Sequence, residues 1–197
     1  MSEPYRLESW QSSVIMACHA ERVRLLFVLS RISVAATLAA ALLVSAWLWS
    51  VVNHGKLLAW LILMLCNAAA LLWMQHAHHA RRPAIEEASR WERWFTIMSA
   101  ASGLLWGMVI WLLTPGVGEL IHVVFILMLC AVCLGATAVL TPSRPAYYAF
   151  MAPMVLPAAL FLTSFGNPGG IAAASWAVLI YVAVLVGVHD VLHRNLV

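Results

Sequence analysis

Ionised side chains are scarce in this chain, and acids most of all: eight Asp and Glu stand against eleven Lys and Arg in 197 residues. Asp190 is the sole aspartate and Lys56 the sole lysine. With 10% charged residues, 64% hydrophobic residues and a mean hydropathy of +0.92, the chain has far more apolar surface than a globule of this length can bury. That excludes a water-soluble domain. Cysteine is sparse too: Cys18, Cys66, Cys130 and Cys133 lie in or near apolar runs, which excludes an extracellular disulfide framework. A cleavable signal peptide is not expected, since Glu3, Arg6, Glu8, Glu21, Arg22 and Arg24 crowd the first thirty residues. Between Ile32 and Val188 the acids are Glu86, Glu87, Glu92 and Glu119 alone, all in loops or at a helix end. Coupled transport needs an ionisable group at membrane depth, so it is disfavoured. No phosphate-binding glycine loop, nucleophile elbow or zinc-protease helix is present, and no motif calls for a cofactor or for nucleic acid.

What the chain does contain is a set of apolar runs separated by short polar links. The expected architecture is all-α: a polytopic membrane protein of six transmembrane helices, preceded by an interfacial amphipathic helix within residues 1–30. The spans are expected at 32–49, 57–74, 95–113, 121–140, 147–165 and 171–188, making residues 31–197 one module. The basic loop between the second and third spans carries Arg81, Arg82, Arg90 and Arg93, and a loop of this kind stays on the cytoplasmic side. Alternation from that loop puts ten arginines on one side and Lys56 alone on the other, which predicts both termini in the cytoplasm. Pro83 is placed to start a short helix, and Trp91 and Trp94 belong at the water boundary.

Several residues are candidates for function. Gly103 and Gly107 form a small-xxx-small pair beside Trp106, which predicts close backbone approach and a central third helix. Pro153 and Pro157, one turn apart, predict a kinked fifth helix able to take two packings. His76, His78 and His79 leave the second span on the same side as His189 and His193; five imidazoles so placed suit a metal or a pH sensor, though flanking a span is the plainer role. Glu119, His122 and His54 form a smaller set at the opposite side. Cys130 and Cys133 read as packing residues, because hydrocarbon disfavours the thiolate that redox chemistry needs.

Taken together, ERVRLLF at Glu21–Phe27, Trp60, WERWF at Trp91–Phe95, GLLWG at Gly103–Gly107 with Pro115, and the small residues Gly135, Ala136 and Ala138 form a pattern. It resembles the multi-spanning sensor region in front of bacterial signalling proteins: GGDEF-type diguanylate cyclases, GGDEF/EAL proteins and hybrid sensor histidine kinases. The resemblance covers nearly the whole chain as a pattern of helices with anchoring residues, not as a catalytic signature. It implies a homodimeric input module in a bacterial inner membrane, whose last span, continuing through VHDVLHRNLV at Val188–Val197, leads to a cytoplasmic output domain. The chain departs from the full-length pattern in having no GGDEF or EAL motif, phosphoacceptor-histidine box or ATP-binding glycines. With outer links this short, a ligand would come from the bilayer, which favours an apolar, fatty-acid-like signal. The rivals are a small stand-alone transporter or channel, with Asn67, Ser99, Ser102, Thr137 and Thr141 as its polar path, and a passive membrane anchor.

Overall fold

The structure is a computed structural model that describes the backbone of residues 3–81, 84–112, 119–165 and 171–196. Side chains are described at 14, 16–81, 84–112, 121, 123–161 and 180–195. Arg82 and Pro83, and the side chains of Glu119 and His122, therefore lie outside the described residues. All the described elements are helical: α1 (Glu3–Leu48), α2 (His54–Arg81), α3 (Ala88–Met108), α4 (Glu119–Val139), α5 (Arg144–Phe165) and α6 (Ile171–Leu196). Single 3-10 turns precede and follow α3, at Ile85–Glu87 and Val109–Leu112.

The expected interfacial helix and first span are one continuous helix of 46 residues, about 69 Å long at 1.5 Å per residue. Its continuity has a local cause. No glycine or proline lies between Tyr5 and Leu48, and Ala35, Ala36, Ala39, Ala40 and Ala41 are strong helix formers, so nothing in the backbone interrupts the ladder at residue 30. The helix ends at Leu48, whose carbonyl accepts from the amides of Val51 and Val52 at 3.0 Å. Asn53 then caps α2, its Oδ1 accepting from the Lys56 amide at 3.2 Å. Ser143 does the same for α5: its carbonyl accepts from the Tyr147 amide at 3.1 Å, and its Oγ faces the Ala146 amide at 3.4 Å. α2 also runs past Met74 for two further turns that carry all three of its C-terminal histidines.

Among the described residues, three segments are long and apolar enough to cross a membrane: Met16–Leu48, His54–Arg81 and Ile85–Leu112. They make the chain a membrane protein whose apolar helices contact lipid. Ile32 (76% exposed), Leu43 (71%) and Trp73 (71%) could not stand open to water at such density. The most extensive pairing is α3 on α5; α1 also packs on α2, α2 on α3, and α4 on α6. The core follows: Leu26, Leu57, Trp106, Phe125, Tyr147 and Met154 are fully buried. α6 packs on α4 and α5.

Candidate functional site

The centre of the bundle is a glycine seam. Gly103 faces the backbone of Phe150, and Gly107 faces the carbonyls of Pro153 and Met154, so closely that an added Cβ would overlap them. The proline at 157 has no amide hydrogen to give the Pro153 carbonyl its helical bond, and that freed oxygen lies against Gly107. Trp106 is buried beside the seam, edge-on to Trp60 at 5.9 Å, and the Trp60 indole donates to the Leu105 carbonyl at 2.8 Å. Trp111 donates to the Pro157 carbonyl at 3.0 Å. The structure thus sets Gly103 and Gly107 against the α5 backbone at Phe150, Pro153 and Met154, with Trp106 buried beside them and Pro157 one turn further along α5.

Beside the seam, α1, α2, α3 and α4 border a cleft of about 380 Å³. On its wall Asn67 Nδ2 donates to Ser102 Oγ at 2.6 Å, and Ser102 in turn to the Met98 carbonyl at 3.0 Å. Ser99, on the same wall, donates to the Phe95 carbonyl, while Thr137 and Thr141, outside the lining, donate to the carbonyls of Cys133 and Thr137.

The arginine-bearing ends of the helices meet in a polar knot. Glu92 lies on the buried stripe of α3, which runs through Ala88, Phe95, Ser99, Gly103 and Trp106. Its carboxylate accepts from Ser143 Oγ at 2.6 Å, and its other oxygen stands 3.5 Å from His19 Nε2 on α1. One acid therefore bonds α3 to the α4–α5 link and faces α1 through His19, without hydrogen-bond geometry to it. Nearby, Gln75 Nε2 donates to Ser30 Oγ at 2.8 Å, fastening α2 to α1.

The last turns of α6 enter the same knot. His189 is fully buried, stacked on Tyr147 at 3.8 Å and 5°, with Nε2 3.4 Å from the Leu140 carbonyl. The hydrogen-bond geometry suits the Nε2–H tautomer, which leaves Nδ1 as a buried acceptor without a partner. One turn on, His193 Nδ1 lies 2.8 Å from the Thr141 carbonyl. Asp190 pairs with Arg144 Nε at 3.2 Å, an ion pair that lacks hydrogen-bond geometry, and faces Tyr148 OH at 3.4 Å. Burial holds the His189 imidazole below its ordinary value, opposed by the Leu140 carbonyl and Asp190.

The histidines do not gather as one set. His78 stacks on Phe27 at 4.1 Å and lies edge-on to Trp91 at 5.1 Å, while His76 and His79 are exposed. His54 stacks on Trp49 at 4.5 Å. Among the described residues no three His, Cys, Asp or Glu side chains stand close enough to hold a metal. Arg81, Arg90 and Arg93 are exposed at the same end, with Trp91 half-buried and Trp94 exposed beside them. Cys133 packs against Met154 Sδ at 4.0 Å.

Sequence reasoning passed over Glu92, Ser143, Gln75 and Tyr147. For Glu92 a signal existed, since it falls at helical spacing on the face that carries Phe95, Ser99 and Gly103. Glu92, Ser143 and Gln75 join α3 to the α4–α5 link and α2 to α1. No protein-family model, curated protein or solved structure matches this chain.

Proposed function

We propose that this chain is the membrane-embedded input module of a bacterial signal-transduction protein: six crossings, both termini cytoplasmic, with the signal leaving through α6. The observation that carries the reading is the knot on the last turns of α6. His189, Asp190 and His193 are held by Leu140, Thr141, Arg144 and Tyr147 of the α4–α5 connection, so a shift of α4 or α5 is delivered to the end of α6. Because α5 lies on α3 through two glycines and carries two prolines, it is the element best suited to hold two packings.

Six crossings are supported by length: the shortest of the six helices, at 21 residues, spans about 32 Å, the thickness of the hydrocarbon core. The arginine bias supports the orientation. The output in this reading is a diguanylate cyclase or histidine kinase in cis, working as a homodimer, as the resemblance implies.

The test is a fusion of residues 1–197 to a cyclase or kinase output, with one to four alanines inserted after Val197. Output that rises and falls with the helical phase of the insertion, about 100° per residue, is expected. Activity that stays constant across the series and across lipid composition would leave a passive anchor.

A further inference from the structure

The antiparallel ends of α2 and α3 enclose a second cleft, of about 420 Å³, which neither the seam nor the knot uses. Its lining is graded along the helices. Met98 lies at the deep end, Trp73 and Trp94 form the walls, and Arg81 and Arg90 stand at the mouth. From Ala70, the deepest lining residue of α2, to Arg81 is eleven residues, about 16 Å of helix and roughly one leaflet of hydrocarbon. Both tryptophan walls are open, Trp73 at 71% and Trp94 at 52% exposure, and neither arginine has an ion-pair partner among the described residues.

Tryptophan and arginine flank many spanning helices simply as interfacial anchors. Here they line a concavity whose volume falls in the range of ligand sites, with cations at one end only. Glu87 shares the mouth, so two arginines and one glutamate leave it a single net positive charge. That balance matches a monoanion and disfavours a dianionic headgroup. The volume accommodates one hydrocarbon chain better than two.

We propose that this cleft binds a single long-chain carboxylate, a fatty-acid anion taken from the adjoining leaflet. The chain lies between Trp73 and Trp94 and reaches Met98, and the carboxylate accepts from Arg81 and Arg90. Occupancy is reported inward through Trp91, another wall residue, whose ring meets His78 at 5.1 Å and Phe27 of α1 at 6.1 Å. As a signal the ligand rests on the sensory reading above; as a bound molecule it does not.

The experiment uses the full chain in phosphatidylcholine nanodiscs with radiolabelled palmitate, at an alkaline pH that keeps the acid ionised. Saturable binding is expected, with R81Q/R90Q weakening it about ten-fold or more and A70W, which fills the deep end, abolishing it. Both variants are checked for monodisperse elution. Equal competition by palmitic acid methyl ester, displacement by phosphatidylglycerol at the same mole fraction, or affinity unchanged in R81Q/R90Q would each overturn the site. Binding that leaves the output of the fusion protein unchanged would remove the sensory role and leave the site standing.

Discussion

Two glycines separate close packing from mere permissiveness at the scale of single residues. Gly103 and Gly107 have backbone carbonyls of α5 where a Cβ would go, whereas Gly135 and Gly187 face open space. Gly103→Ala should therefore cost about 3 kcal/mol, since backbone on both sides must separate. Gly135→Ala and Gly187→Ala should lie within about 1 kcal/mol of the parent, on the stabilising side, because alanine is the better helix former. Reversible unfolding in mixed detergent micelles measures all three. Equal costs at these three glycines would mean that α3 and α5 do not meet where the seam puts them. The pair was legible in the sequence, because small-xxx-small spacing has one physical use. Glu92 was not, because its role depends on Ser143 and His19, 51 and 73 positions away along the chain, and no local rule connects them.

Between elements, the decisive contact is α6 against the α4–α5 link, and it depends on a neutral imidazole. His189 faces Tyr147, Tyr148, Arg144 and the Leu140 carbonyl across the interface, with Asp190 and His193 on its own helix. Burial lowers its affinity for a proton in the folded state, so the unfolded chain binds more protons near the ordinary imidazole value. The sign follows: the contribution to stability is fully present above about pH 6.5 and is lost as pH falls toward and through the depressed native value, at no more than about 1.4 kcal/mol per pH unit. His189→Phe should remove this slope while keeping the stack on Tyr147, because it deletes the unpartnered Nδ1 along with the titrating group. Stability measured in the same micelles from pH 5 to 8 checks it; an unchanged slope in the variant would place the titration elsewhere. Helix existence and rough position were readable from apolar periodicity. Helix ends were less so: α1 fused two expected segments and α2 overran Met74, since boundaries answer to packing and to the absence of glycine or proline more than to hydropathy.

For the whole molecule, the unequal placement of arginine and the shared level of the knot make one statement. His19, Gln75, Glu92, Ser143 and His193 lie at the arginine-bearing end, and Lys56 lies at the other. Composition alone was enough to reveal a membrane protein; which helices pair was not legible, because lipid-facing and helix-facing positions are equally apolar and only the glycines distinguish them. The proposed function requires six crossings that bring the end of α6 to the side where an effector could be reached. The direct measurement is a set of paired reporter fusions, alkaline phosphatase and green fluorescent protein, placed at residues 53, 84, 117, 142, 168 and 197. The expected result is phosphatase activity at 53, 117 and 168 and fluorescence at 84, 142 and 197. Phosphatase activity at 197 would put the end of α6 outside the cell's interior, and a signal could not leave through it.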